Sequence, residues 1–502
     1  MNNRPYTTWQ RGGVDASKFA CLFVLCLVLA GLLPLFYFAL SQASNFKFDA
    51  YIWKVLWFTL KQAFLSAAIS TFLGLLLARA LNKGEFPGKQ ILINVLALPQ
   101  ALPAIVVVLS ITTLFGTRGW FGGWLQIYGL TGILVAHIFF NMPLATRLFS
   151  ETLRTIPLEN IRLANQLCMN KFNKFMHIEW PIIRRDLPRI FGLIFLLCAA
   201  SFVVVLTLGG PSSTTLEVAI YQSLRQDFDV PRALSLSSLQ VILCALLVLL
   251  SGKMVLRHMP TQSYSLKSQP TKNMTSISDL IVISTAFAIV GLPLVALIFS
   301  GISYLNFNFQ ALITSLFIGT CSSIGGVALA WPLARHPIFV SQLAALATLL
   351  VPPAVLATGW FIALQRLEGS WINILCVITL NALLALPFAM AALAPGFSKI
   401  TNQYEMICRQ LNVVGWQRFW VIDFPIMRRP LAQAALLSFV MALGDLTAIT
   451  LLGSQGLVTL PSLIQNQMGH YRGNDAGGTA LILTALCYIL TTFASRLGKS
   501  DD

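Results

Sequence analysis

The sequence predicts an all-α polytopic membrane protein of about twelve spanning helices. Three observations carry this: an apolar composition, apolar runs of bilayer length, and an internal repeat. Of 502 residues, 56% are hydrophobic and 10% charged, too little charge to cover a soluble protein of this length. The apolar runs reach about 20 residues, enough to cross a bilayer at 1.5 Å rise each. Backbone groups cannot stay unpaired in hydrocarbon, so such runs must be helices.

In chain order the runs lie near 19–41, 55–78, 91–115, 127–149, 190–209 and 233–252, then 278–300, 311–333, 340–364, 372–394, 430–452 and 477–495. Basic residues precede the first run, as in a secretory leader. Its roughly 20 apolar residues exceed a leader's apolar core, which marks a retained helix. The third and ninth runs contain the Pro-rich stretches LPQALP (98–103) and VPPAVLATG (351–359). Proline frees backbone carbonyls and bends helices, so either a gate or a static kink is expected there. The eleventh run places Asp445 about 15 residues in, roughly 22 Å from its cytoplasmic end. A central carboxylate costs about 2.5–3.5 kcal/mol on insertion scales, so something compensates it. Two readings stand: Asp445 faces a pathway and attracts a cation, or it bonds a helix end or a hydroxyl within the bundle.

The net charge of +16 invites a nucleic-acid reading, but the positions of the charges exclude it. With the N-terminus in the cytoplasm, 26 of the 34 Lys and Arg residues fall on the cytoplasmic side. This positive-inside bias reports topology and predicts both termini in the cytoplasm. The nine cysteines form no C-x-x-C pair, which argues against a disulfide framework or a zinc site. There is no G-x-x-x-x-G-K-[ST] and no H-E-x-x-H, so neither ATP binding nor metalloprotease chemistry is expected. No cofactor, no metal and no catalytic residue are predicted.

The repeat is the most informative feature. Residues 178–187, IEWPIIRRDL, return as 422–431, IDFPIMRRPL, at a spacing of 244. That spacing sets Glu179 on Asp423, Pro143 on Pro387, Phe175 on Phe419, Leu208–Gly209 on Leu452–Gly453 and Thr215–Leu216 on Thr459–Leu460. Ala78–Arg79 matches Ala334–Arg335 at a spacing of 256, which fits an insertion near the outer loop 116–126. Six helices per half put both halves in one orientation, a parallel repeat. The predicted division is a first repeat over 1–257, a cytoplasmic linker over 258–277 and a second repeat over 278–502. A pathway is expected at their interface.

Each half carries a long, charged cytoplasmic loop, about 150–189 and 395–429. Their size and amphipathic content exceed what a returning chain needs, and a short helix there suits a groove on a cytoplasmic partner. These loops resemble the EAA loops of binding-protein-dependent ABC importer permeases: E-A-A, three residues, Gly, nine residues, Ile-x-Leu-Pro. Ala164, Ile178 with Pro181, and Ile422 with Pro425 match that pattern. Cys168 and Asn412 stand in place of the Gly, and Arg162 and Met406 in place of the first Glu. The resemblance implies coupling helices at about 159–172 and 403–416 that dock on a cytoplasmic ABC ATPase dimer. It assigns coupling to Glu159, Ala164, Leu167, Cys168, Ile178 and Pro181, and to Glu405, Cys408, Leu411, Asn412, Ile422 and Pro425.

Within that family the stretches 179–210, TTLEVAIYQSL (214–224), ALGDLTAITLLGSQG (442–456) and 459–481 resemble the thiamine-transport permeases. The resemblance implies a type I importer fold, a periplasmic thiamine-binding protein as partner, and passage of thiamine and its phosphate esters. Pathway candidates are Asp445, its repeat partner Ser201, and Glu217 and Tyr221, which either line the outer mouth or stand in an ordinary solvated loop. Trp360 is either a stacking platform for an aromatic cation or an interfacial belt residue. The rival readings are an iron(III) or other small-solute permease, an ion-coupled secondary transporter, and a membrane-embedded enzyme. The second would favour several intramembrane carboxylates, and the third needs a convergent catalytic set that the sequence lacks.

Overall fold

The computed structural model describes residues 8–41, 49–83, 86, 88–117, 119–124, 126–210, 213–251, 277–335, 339–364, 369–411, 413, 415–454 and 456–498. The linker (258–276) and Asn412 lie outside the described residues. Every regular element described is helical.

The first half of the chain runs through α1 (Thr8–Ser41), α2 (Ala50–Lys83), α3 (Lys89–Ala97), α4 (Ala104–Phe115) and α5 (Leu130–Arg154). Two short helices follow, α6 (Leu158–Gln166) and α7 (Lys171–Lys174). The chain then re-enters the bundle as α8 (Trp180–Ala199), α9 (Val203–Leu208), α10 (Leu216–Arg225) and α11 (Val230–Ser251). The second half repeats the order with α12 (Ile277–Gly301), α13 (Phe309–Arg335), α14 (Phe339–Leu350), α15 (Pro353–Leu364) and α16 (Ser370–Lys399). After them come α17 (Glu405–Gln410), α18 (Gly415–Arg418), α19 (Phe424–Gly444), α20 (Thr447–Leu452), α21 (Leu460–Gly469) and α22 (Gly473–Gly498).

A helical element covers each of the twelve apolar runs. Eight helices among the described residues are long and apolar enough to span, and two bent pairs pass together. Those pairs are the Pro-rich segments: α3 and α4 meet at 113°, α14 and α15 at 89°. Pro103 and Pro352 fall at these breaks, where proline lacks the N–H a continuous helix needs.

Two runs read as continuous are broken. The fifth divides at Ala200–Phe202 into α8 and α9, and the eleventh at Asp445–Leu446 into α19 and α20. Asp445 therefore does not sit within a helix; the helix before it ends at Gly444.

Packing follows the small residues. α2 lies against α5 and α8, as α13 lies against α16 and α19. On α2, Ala63, Ser66, Ala67, Ser70 and Gly74 are buried, and a Cβ on Gly74 would overlap that of Ala145. Small side chains let spanning helices approach and gain van der Waals contact where lipid offers no hydrophobic drive. The first helix of each half crosses to the other: α1 packs on α13, α14 and α15, and α12 on α2, α3 and α4. A Cβ on Gly359 would overlap the Gly31 carbonyl, so α1 and α15 touch backbone to backbone.

Candidate functional site: two loops and the helix ends they hold

The loop 155–179 starts on Pro157, whose extended backbone (φ −59°, ψ 138°) opens α6. Glu159 follows in the first turn, where a negative charge suits the helix dipole. Among the described side chains of α6, Ala164 alone is buried, at 2% exposure. It ends in a Schellman turn: the Met169 amide donates to the Ala164 carbonyl at 3.0 Å and the Cys168 amide to Asn165 at 3.1 Å. Cys168 takes the left-handed conformation, φ 49°, which explains why a Gly belongs at this position in the pattern the loop resembles. The Asn170 side chain then accepts the Asn173 amide at 2.7 Å and caps α7.

The second loop is entered differently, α16 running through a π-helical turn, Ile400–Tyr404, into α17, but it repeats the anchor. Cys408, the repeat position of Ala164, is also 2% exposed, and the Val413 amide donates to its carbonyl at 3.0 Å. Leu167 and Leu411 are 73% and 69% exposed, and Phe172 and Trp416 66% and 72%. Leu163 with Ile407 and Met176 with Trp420 complete four pairs of exposed apolar residues, each separated by 244. One buried anchor beneath an exposed apolar face is the pattern of a helix that docks elsewhere.

Beyond each loop the chain winds into a π-helical turn, Phe175–Glu179 and Phe419–Asp423. Proline follows at once: Pro181 and Pro425 stand in the first turn of α8 and α19. Each ring removes an N–H and crowds the carbonyl four residues back, so the helix widens to i→i+5 bonding just before it. The Trp180 amide accordingly donates to Phe175 and the Phe424 amide to Phe419. Ile178 and Ile422 are half-buried within these turns, as is Pro181, whereas Pro425 is exposed.

The last residue of each turn is acidic and meets an arginine at the end of a spanning helix. Arg79 Nε lies 2.7 Å from Glu179 Oε2, and Arg335 Nη2 2.9 Å from Asp423 Oδ2. Phe175 supports the Arg79 guanidinium from 4.2 Å. In the second half Arg418 joins, 2.7 Å from Glu405 and 3.5 Å from Asp423. Sequence reasoning missed these pairs although both partners recur in the repeat; the signal was two matched positions of opposite charge.

At the opposite end of the bundle the Leu216 amide donates to the Thr59 hydroxyl at 3.0 Å. The Leu460 amide donates to the Ser315 hydroxyl at 2.8 Å. The two sequence halves also meet there, where Arg225 Nη2 donates to the Gly453 carbonyl at 2.6 Å.

Asp445 serves as a cap. Its carboxylate accepts the Thr447 and Ala448 amides at 3.2 and 2.9 Å, the open first turn of α20. This is the helix-end alternative of the two readings. A Cβ on Gly444 would stand 3.0 Å from Pro103 Cγ, so the broken spans of the two halves touch beside it. Ser201 is half-buried in the matching break. Tyr221 packs edge-on to Phe202, 5.6 Å between ring centres.

Glu217 and Trp360 fall elsewhere than expected. Glu217 is 1% exposed, inside the bundle and not at an open mouth, because it lies on the packed face of α10. Trp360 is 5% exposed and donates its indole N–H to the Leu27 carbonyl at 3.1 Å. It fastens α15 to α1 and is neither a belt residue nor an open platform.

The family model for the binding-protein-dependent transport system inner membrane component matches residues 70–259. The thiamine transport system permease protein ThiP of Brucella abortus (strain 2308) is 39% identical, over 92% of this chain and 90% of its own. The chain belongs to this permease family.

As a permease subunit it crosses the inner membrane several times. Two further relatives carry the same name: those of Salmonella typhimurium (36% identical, 95% of each chain) and Escherichia coli K12 (38%, over 89% of this chain and 90% of its own). The family match begins within α2 and runs through α11, so it contains Arg79, the first loop and Glu179.

Proposed function

We propose that this permease forms the pathway for thiamine, and for its phosphate esters, across the inner membrane, driven by a separate ATPase dimer and supplied by a periplasmic thiamine-binding protein. The substrate rests on the likeness to thiamine permeases along nine-tenths of the chain. The drive rests on one structural observation: two loops 244 residues apart present the same apolar face above the same buried anchor.

In this reading 1–257 and 278–502 are parallel repeats joined by the linker 258–277. Both termini and both loops lie in the cytoplasm, where Arg and Lys concentrate. α6 and α17, with the residues around them from Glu159 to Pro181 and from Glu405 to Pro425, dock on the ATPase. ATP-driven closure of the ATPase dimer draws the loops together and shifts the bundle between outward- and inward-open states. The broken spans around Pro103, Ser201, Gly444 and Asp445 line the pathway between the halves. The Arg225–Gly453 contact holds its outer end closed.

Uptake of radiolabelled thiamine by cells lacking the chain, with and without the gene restored, tests the substrate. Uptake that returns with the gene, and that excess unlabelled thiamine abolishes, supports the proposal. Uptake unchanged by deletion, or competed by iron(III) and not by thiamine, refutes it.

A further inference from the structure

We propose that Arg79 and Arg335 are positioning residues that transmit movement of the loops into the bundle, each clamping a π-helical turn to the end of a spanning helix. This rests on reading the loops as ATPase-docking elements and adds the joint through which they act.

The loops touch the bundle lightly: among the described side chains of α6 and α17, the buried ones are Ala164 and Cys408. Between each loop and its spanning helix stands a π turn followed by a proline. A widened turn that lacks a donor at its exit is a soft place in a helix. Displacement of α6 would be absorbed there unless the far end of the turn were held. The residue at that far end is Glu179 or Asp423, and it is held. Arg79 and Glu179 are 23% and 18% exposed, Arg335 and Asp423 16% and 0%, so both pairs are largely shielded from water. A shielded, charge-assisted hydrogen bond is stiffer than one on an open surface.

What the arginines clamp to is a rod. α2 continues without a proline from Arg79 back to Thr59, and α13 runs as one helix from Arg335 back to Ser315, its single proline, Pro332, lying in the last turn beside the arginine. Each interval is 20 residues, about 30 Å along the axis. Thr59 and Ser315 then accept the first amides of α10 and α21 at the opposite end. A pull on either loop is thereby carried along one helix to the far side of the membrane.

The two joints share geometry and differ in surroundings. Glu179 faces Arg79 above Phe175, whereas Asp423 faces Arg335 beside Arg418. Acid length, neighbours and burial all differ, while the pairing and its place at the last residue of the π turn return. That points to the pair, not the local packing, as the working element.

The test is made on the full complex with its ATPase, in liposomes with the binding protein, reading thiamine carried per ATP hydrolysed. The variants are Arg79→Lys, Arg79→Gln, Glu179→Gln and the double Arg79→Gln/Glu179→Gln. All are expected to co-purify with the ATPase at wild-type ratio. The Lys variant should stay within about twofold of wild type, and each Gln single should lose about fivefold or more. The double should be no worse than either single, as for residues acting as one pair. Gln singles at the wild-type ratio, or losses that multiply in the double, overturn the proposal. If a single fails to assemble, the double decides, since it strands no charge; wild-type coupling in it overturns the proposal. A wild-type complex that hydrolyses ATP but carries no thiamine refutes the substrate alone. The joint is then read by loss of hydrolysis stimulated by the binding protein.

Discussion

Arg335 reaches across 88 residues of sequence to Asp423, which is 0% exposed, and bonds one of its carboxylate oxygens at 2.9 Å. Arg418 stands 3.5 Å from the other oxygen. Two charges out of water are tolerable only together, and removing one partner of a buried pair costs about 3–5 kcal/mol; without Arg335, Asp423 loses its 2.9 Å bond and keeps the longer Arg418 contact. Arg335→Ala is therefore expected to lower the amount of folded protein in the membrane. Adding Asp423→Asn should restore it, as immunoblotting of membranes would show. Equal levels in the single and double variants would mean that the pair does not carry this stability.

The hydroxyl–amide bonds at the other end make a gentler prediction. Thr59→Val keeps shape but leaves the Leu216 amide without its acceptor, a cost of about 1–3 kcal/mol for a buried group. Thr59→Ser keeps the acceptor. Thermal unfolding of the purified protein in detergent should show a lower midpoint for Val and little change for Ser. The same contrast is expected between Ser315→Ala and Ser315→Thr.

Cys168 occupies backbone that suits glycine. Cys168→Gly relieves a left-handed side chain and should leave transport and docking at wild-type level or above. Cys168→Val forces a β-branched residue into that conformation, with strain of about 1–2 kcal/mol. Its loop should unwind locally and bind the ATPase less tightly. Co-purification of the ATPase with each variant checks both outcomes.

Asp445 caps α20, and a cap is worth about 0.5–2 kcal/mol. Asp445→Asn retains an acceptor and should keep most thiamine uptake, whereas Asp445→Ala should lower thermal stability. Loss of uptake in Asp445→Asn with stability unchanged would instead show that the negative charge itself serves the pathway.

Much of this protein was legible before its structure. Long apolar runs have few outcomes in a bilayer, so all twelve were readable from the chain. The repeat was readable because Pro181 with Pro425, and Arg184–Arg185 with Arg428–Arg429, return at one spacing. The breaks at Ser201 and Asp445 were not, because hydropathy does not change where backbone turns inside protein. A cap such as Asp445 looks like any intramembrane carboxylate until its amide partners are placed. Trp360 misled for a related reason: its partner is the Leu27 carbonyl, which belongs to no motif. The Arg79–Glu179 pair lay in view as two matched positions, but only the fold brings together residues 100 apart.

The most direct measurement is ATP-driven thiamine accumulation in liposomes carrying the complete complex, wild type against Leu167→Asp/Leu411→Asp. Both leucines are exposed, so the substitution leaves the bundle's core untouched. It places charge at the centre of each proposed docking face, where losing an apolar anchor costs about 2 kcal/mol or more of binding. Wild type should accumulate thiamine and the variant almost none at equal permease content, with less ATPase retained. Accumulation by the variant at the wild-type rate would contradict the docking role, because the loops would then not be where ATP does its work.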